Sequence, residues 1–251
     1  MIDIHSHILP ELDDGARDPD EALTMLRMAE ATGTTDIVAT PHSDLSFRFD
    51  PRATRERIAD LQEAAGQSIR IHFGCELHLT MDGIENALRC PEDYSIGRRG
   101  HLLVEFSNYQ VPKNSTGILL KMLDRGLRPI VAHPERNPIF RDRISELEAW
   151  VRMGCSMQVT AHSLLGRFGK AAKTASHQLI ERGLVHFLAS DAHDRQHRPP
   201  LLAEVRHYVD ETFEPEAAEL WLLDNPRAAL EGFPVSTGAF RERKRPWYSF
   251  W

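Results

Sequence analysis

Cysteine is scarce in this chain of 251 residues. The three present, Cys75, Cys90 and Cys155, are scattered, and no C-x-x-C occurs. This excludes a disulfide framework and a thiolate metal site, and it reads as free thiols in a reducing compartment. Long apolar runs are missing as well: none approaches the ~18 residues that a membrane-spanning helix needs. The chain enters an apolar strand at its first residues, which leaves no room for a signal peptide, so the protein is expected in the cytoplasm. There is no excess of positive charge. The formal net charge is −7, which disfavours general nucleic-acid binding. With 41 % hydrophobic and 27 % charged residues, the composition is that of an ordinary globular protein.

What is present is an alternation of strand-like and helix-like segments. The spacing predicts strands at 2–5, 35–40, 70–75, 102–106, 129–132, 156–160 and 185–189. Between them it predicts helices. One opens at Asp18-Pro19-Asp20-Glu21, with a carboxylate cap, a proline at the first position and acids in the first turn. Another starts at Pro51 and carries Ile58, Leu61 and Ala65 at helical spacing. Further helices fall at 82–88, 114–125, 144–153 and 170–182, the last three ending at Gly126, Gly154 and Gly183. C-terminal helices are expected at 201–211, 215–223 and 225–230. Seven such units indicate a single α/β domain with a parallel sheet, and closure into a barrel fits better than an open doubly wound sheet. The first turn, His5-Ser6-His7-Ile8-Leu9-Pro10, lacks the glycines of a dinucleotide-binding turn.

Potential metal ligands recur at the carboxyl ends of these strands, where a barrel builds its site. They are His5 and His7 in H-x-H, His42 in Ala-Thr-Pro-His, Glu76 in Gly-Cys-Glu-Leu and Glu105 in Leu-Leu-Val-Glu-Phe. His133 in Ala-His-Pro-Glu-Arg-Asn and Asp191 with His193 in Ala-Ser-Asp-Ala-His complete the series. Two imidazoles separated by one residue on a strand face the same side. A lone H-x-H is usually structural; the repetition at strand ends reverses that. Imidazole and carboxylate without thiolate suit Mn²⁺, Fe²⁺ or Zn²⁺. Asp13-Asp14-Gly15 supplies one further candidate carboxylate, and spacing does not say which. Arg136 and Arg198, taken singly, read as surface cations. Beside a metal cluster their guanidinium forks suit an anion, above all phosphate. The remaining histidines, His72, His78, His101, His162, His177, His186, His197 and His207, form no second set and are read as structural, although His78 and His162 stand at the right strand end to reach the mouth.

A side-chain nucleophile is absent. Gly-x-Ser-x-Gly and G-x-x-x-x-G-K-[ST] do not occur. A cysteine phosphatase needs Arg six positions after its Cys, and the residues found there are Met81, Ile96 and Ala161. Metal-activated water is therefore the expected nucleophile.

The motifs His5-Ser6-His7-Ile8-Leu9-Pro10, Asp13-Asp14-Gly15-Ala16, Ala39-Thr40-Pro41-His42, Gly74-Cys75-Glu76-Leu77, Val104-Glu105-Phe106, Ala132-His133-Pro134-Glu135-Arg136-Asn137, Ala189-Ser190-Asp191-Ala192-His193 and Asn225-Pro226 have a familiar order. The chain resembles the polymerase-and-histidinol-phosphatase (PHP) superfamily, and within it the manganese-dependent protein tyrosine phosphatases of capsular and exopolysaccharide operons. The resemblance implies a distorted (β/α)7 TIM-like barrel with three divalent ions, Mn²⁺ foremost, with Fe or Zn as alternatives. It places the ligands on His5, His7, Asp14, His42, Glu76, Glu105, His133, Asp191 and His193, and the phosphate on Arg136 and Arg198. It also implies a phosphotyrosine substrate on a membrane-bound bacterial tyrosine kinase, and it leaves homo-oligomer formation open. Two positions depart from the family's usual pattern: Ser6 stands where Cys is common, and Glu11, expected near the entrance, stands where Gly is common.

The domain is expected to span 1–235. The basic and aromatic tail 236–251 reads as a self-packed terminus or, on the sharper view, a peripheral membrane contact. Rival activities are a histidinol-phosphate-like small-molecule phosphatase, an oligonucleotide phosphoesterase, a metal-dependent amidohydrolase and a non-catalytic scaffold. The amidohydrolase is disfavoured because the fourth strand ends in Glu105 where many of those enzymes use Lys. The scaffold is disfavoured because a buried ligand set without metal would be costly.

Overall fold

The computed structural model describes residues 1–214, 216–238 and 240, so the expected tail beyond 240 lies outside the described residues. Every strand pairing is parallel. Strands β1 (Ile2–Ser6), β2 (Asp36–Ala39) and β4 (Arg70–Phe73) form one sheet in the order β1-β2-β4. Strands β3 (His42–Ser43), β5 (Glu76–His78), β6 (His101–Glu105), β7 (Arg128–Ala132), β8 (Ser156–Thr160) and β9 (Phe187–Ala189) form the second, in the order β3-β5-β6-β7-β8-β9. Helices α1 (Pro19–Ala31), α2 (Pro51–Ala65), α3 (Met81–Arg89), α4 (Ser115–Asp124), α6 (Ile144–Arg152) and α8 (Gly169–Glu181) form the connections; two single-turn helices, α5 (Pro138–Arg141) and α7 (Ala161–Leu164), were not expected. At the C-terminus α9 (Ala203–Thr212) and α10 (Glu216–Glu219) are followed by a π-helical turn at Leu220–Asp224 and by α11 (Asn225–Glu231).

The sequence suggests seven strands in one sheet. The second and third of these are instead each followed by a short further strand, past Thr40-Pro41 and past Gly74-Cys75, that belongs to the other sheet. Proline has no N–H to donate to a ladder, so β2 stops before Pro41. At Gly74 the chain passes so close to its neighbour that a Cβ would lie 2.8 Å from Val38 Cγ1 and 3.0 Å from Thr40 Cγ2. Other hydrogen bonds cross the gaps. Thr40 N donates to Ser6 O at 2.9 Å, Glu76 N to Pro41 O at 3.1 Å and His7 N to Ala192 O at 2.8 Å. Ser6 and Ala192 form a parallel bridge, which ties the end of β1 to the segment after β9.

The strands are buried on both faces, as a parallel sheet flanked by helices requires. On one side Ile4, Val38, Leu103, Ile130 and Phe187 form an inner cluster, closed off by Ile96 and by Ala229 of α11. On the other, Leu102, Val104, Val131 and Val159 pack beneath the helices with Leu119, Met122 and Trp150. Strand alternation thus puts Glu105 on the same face as Leu103. The expected cap is formed: Asp18 accepts from Glu21 N. Asp50, just before Pro51, likewise accepts from Arg52 N and Ala53 N.

Gly74→Ala is expected to destabilise the fold by about 1–3 kcal/mol, because the stiff Val38 and Thr40 side chains leave the new methyl no room. Urea unfolding measures the loss, and Val38→Ala in the same chain is expected to recover part of it.

Candidate metal centre

The short strands β3 and β5 and the loops after β1, β7 and β9 deliver imidazoles and carboxylates to one place. Glu76, fully buried at the start of β5, lies at its middle. Its Oε1 is 3.2 Å from His5 Nε2 and 2.9 Å from His133 Nε2. Its Oε2 is 3.4 Å from His7 Nε2 and 3.0 Å from His42 Nδ1. Asp14 Oδ1 lies 3.3 Å from His42 Nε2 and 3.4 Å from His193 Nε2. Asp191 Oδ1 is 3.5 Å from the Nε2 atoms of both His5 and His7. Glu105 stands 3.9 Å from His42 and from His133. All nine residues singled out as ligands therefore meet in one cluster, and three subsets (His7/Asp14/His42/His193, His5/His7/Glu76 and His42/Glu76/Glu105) bring their donor atoms within 4.8 Å of one another.

Donor atoms in the first shell of a cation with bonds of about 2.1 Å are separated by about 3.0–3.4 Å, which matches the contacts of Glu76 and Asp14, while Asp191 and Glu105 stand somewhat further off. His42 Nδ1 and Glu76 Oε2 are both buried and make no hydrogen bond, although they face each other. A proton or a cation between them would satisfy both atoms. The backbone also gives way here. His133 and Asp191 have φ of 33° and 51°, the left-handed region that a non-glycine residue occupies only when its surroundings hold it there.

Electrostatics point the same way. Burial alone would depress the imidazole of His5, yet the Glu76 and Asp191 carboxylates raise its pKa to about 9. Burial likewise opposes charge on His42, and Glu76 with Asp14 pushes it up to about 12. Glu76 would rise on burial, but His5 and His42 hold it well below the usual carboxylate range. The ion-free cluster thus holds protons in positions that cations can take.

Asp13 and Asp14, which spacing left undecided, have different surroundings. Asp14 faces the cluster. Asp13 Oδ2 lies 2.7 Å from His7 Nδ1 and accepts from His42 N at 3.0 Å, while its Oδ1 accepts from Gly15 N. It orients His7 from behind, as outer carboxylates commonly orient ligand imidazoles. Gln158 plays the matching part for His5, with Oε1 3.0 Å from Nδ1. Sequence reasoning passed over Gln158; an amide between the apolar Met157 and Val159 of β8 was the available signal.

Arg136 and Arg198 both reach Asp191 Oδ2, on the side of that carboxylate away from the imidazoles. Phe168, also passed over, lies under both: the guanidinium carbons stand 4.6 and 5.8 Å from its ring centroid. The other reading that changes is that of His78. Its Nδ1 is 3.3 Å from Glu105 Oε2, so it borders the cluster. His162 is buried outside it, its pKa lowered to about 4 by burial and by Arg167. Glu11 has φ of 63°, a conformation that glycine adopts without strain, and its carboxylate pairs with Arg57 at 3.1 Å. Cys75, beside Glu76, is buried and its thiol pKa is raised chiefly by that burial, so it is no nucleophile.

This geometry has relatives. The family model for capsular polysaccharide synthesis, CpsB/CapC, matches residues 1–231. The chain belongs to that family. It is 35% identical over 250 residues to the tyrosine-protein phosphatase YwqE of Bacillus subtilis, covering 98% of this chain and 96% of the relative. Among solved structures it superposes with a TM-score of 0.87 and 31% identity on one from the pair YwqE of Bacillus subtilis and CpsB of Streptococcus pneumoniae, described as metal-dependent tyrosine phosphatases; 98% of this chain and 100% of that one are covered. A dihydropyrimidinase from Brevibacillus agri, at a TM-score of 0.51 and 14% identity over 94% of this chain and 72% of its own, shares the fold alone.

Since cations displace protons from His5 and His42, Mn²⁺ loading is expected to release protons and to weaken as pH falls from 8 to 6. Calorimetry in buffers of different ionisation enthalpy reads the proton release, and metal analysis after equilibration at each pH reads the loading.

Proposed function

We propose that this chain is a metal-dependent protein-tyrosine phosphatase, with His5, His7, Asp14, His42, Glu76, Glu105, His133, Asp191 and His193 as ligands for three divalent ions. Mn²⁺ is the first choice and Fe or Zn the alternatives. The observation that carries the reading is the contact set around Glu76: four imidazoles within 3.4 Å of one buried carboxylate, in a chain of the CpsB/CapC family. Bound divalent ions supply Lewis acidity to phosphate oxygens and lower the pKa of water to about 7.

The chain's own groups do the rest. Arg136 and Arg198 grip the phosphate oxygens with paired N–H donors and spread its charge. Both are held over Phe168, and both can turn from Asp191 Oδ2 to an entering anion. Asp13 and Gln158 keep His7 and His5 in the right orientation. A tyrosine phenolate has a parent pKa of about 10 and leaves with little help from an acid, which favours aryl over alkyl phosphates.

The same reading extends to the setting. The strand order and the Ser6–Ala192 bridge support a distorted (β/α)7 barrel, and the family match over 1–231 supports one domain, taken here to span 1–235 with a tail at 236–251. The substrate is taken to be a membrane-bound tyrosine kinase of capsule or exopolysaccharide synthesis, met in the cytoplasm. Tail contact with the membrane and self-association belong to this proposal. Among the described residues no helix is long and apolar enough to cross a membrane.

Chelation followed by Mn²⁺ is expected to abolish and then restore turnover of a tyrosine-phosphorylated peptide, with kcat/KM above that for histidinol phosphate or a short oligonucleotide. A His193→Ala variant that keeps its circular dichroism is expected to be inactive; turnover that survives full metal removal overturns the reading. Phe168→Ala is expected to raise KM by about two- to thirty-fold through loss of the stacked arginines, and Phe168→Trp to preserve it. Steady-state kinetics on the same peptide checks both variants.

A further inference from the structure

A groove of about 1090 Å³ opens beside the metal centre, between the β3–α2 connection and the start of α3. Its inner end is formed by Ser43, next in sequence to His42, and by His78, whose Nδ1 lies 3.3 Å from Glu105 Oε2. Its floor is apolar: Phe49, Leu79 and Tyr94, with the rings of Phe49 and Tyr94 5.2 Å apart. Two side chains stand on its rim in a way that folding does not explain. Among the described residues five large hydrophobic side chains are exposed, and Leu45 at 94 % and Met81 at 72 % both line this one groove. Scattered exposed apolar residues need no explanation; two that line one groove beside the candidate metal centre do.

Resting on the phosphatase reading above, we infer that this groove binds the polypeptide flanking the phosphotyrosine, and that it selects apolar residues there. The occupant follows from continuity. A molecule whose phosphate lies at the cluster and which also covers Leu45 and Met81 must extend well beyond an aryl phosphate. The lining carries one arginine, Arg48, against two acids, Asp44 and Asp82, so it offers no net positive charge to draw a second anion. Asp44 has its Oδ1 committed to the backbone N–H groups of Ser46 and Phe47 at 2.6 and 2.7 Å. An extended segment that places apolar side chains on Phe49, Leu79 and Tyr94 buries what the free protein leaves wet. The groove therefore contributes to peptide affinity and leaves the chemical step untouched.

The test uses the Mn²⁺-loaded full chain and the Leu45→Ser/Met81→Ser double variant. Both positions are exposed, so the fold is expected to persist, which circular dichroism checks. Three substrates are compared: para-nitrophenyl phosphate, a phosphotyrosyl peptide flanked by Leu and Phe, and the same peptide flanked by Ser. On the apolar peptide the double variant is expected to raise KM about tenfold with kcat unchanged, the loss of roughly one buried side chain. The Ser-flanked peptide is expected to show that higher KM already with the unaltered chain, and para-nitrophenyl phosphate to be indifferent to the change. A labelled peptide carrying a non-hydrolysable phosphonate gives the same comparison as a Kd. Equal kinetics on the two peptides, or an unchanged KM in the double variant, overturns the inference while leaving the phosphatase intact. A dimer that the double variant splits without change in peptide kinetics assigns the groove to a second copy and also overturns it. If the unaltered chain cleaves none of the three substrates, the phosphatase reading falls and takes this inference with it.

Discussion

One buried carboxylate governs the architecture of this protein. Glu76 has no exposed surface, and a lone carboxylate in that position would be prohibitively costly. Its burial is sustained by four imidazoles from three separate parts of the chain: His5 and His7 from β1 and its end, His42 from β3 and His133 after β7. The breaks at Pro41 and Gly74 serve this convergence. By ending β2 and β4 early, they release His42 and Glu76 into the second sheet, where the two residues pair in register. Removing the charge of Glu76 would leave four imidazoles with no common partner, so the strand ends owe their packing to the same contacts that assemble the site.

Asp191 shows how one side chain joins two functions. Its Oδ1 faces His5 and His7, while its Oδ2 takes the guanidinium groups of Arg136 and Arg198. The cluster and the two arginines are therefore separated by the width of a carboxylate. The left-handed backbone at Asp191 and at His133 is part of this arrangement, for an extended strand would carry both side chains past the cluster.

Much of this was legible in the sequence, for local reasons. The cap at Asp18 is set by residues a few positions apart, and strand-end histidines and acids advertise themselves by their place after apolar runs. The nine clustered residues followed from motifs of that kind, read with a family resemblance. What escaped notice depends on distance in space rather than along the chain. Asp13 and Asp14 are adjacent, and only the path of the turn makes one face the cluster and the other support His7. Gln158 meets His5 across 153 positions. Phe168 matters only because two arginines from elsewhere lie over it. The two short further strands could not be foreseen, because the crowding at Gly74 arises from Val38 and Thr40 on a neighbouring strand.

The sharing of Glu76 has a thermodynamic consequence. One of its oxygens faces His5 and His133 and the other faces His7 and His42, so under the proposed ligand set cations held at the two oxygens would share one carboxylate and would not be independent. The coupling is reciprocal: whatever the first ion does to the affinity of the second, the second does to the first. Partial occupancy is then a distinct chemical state, and the cell's supply of metal sets how much of the protein is competent at any moment.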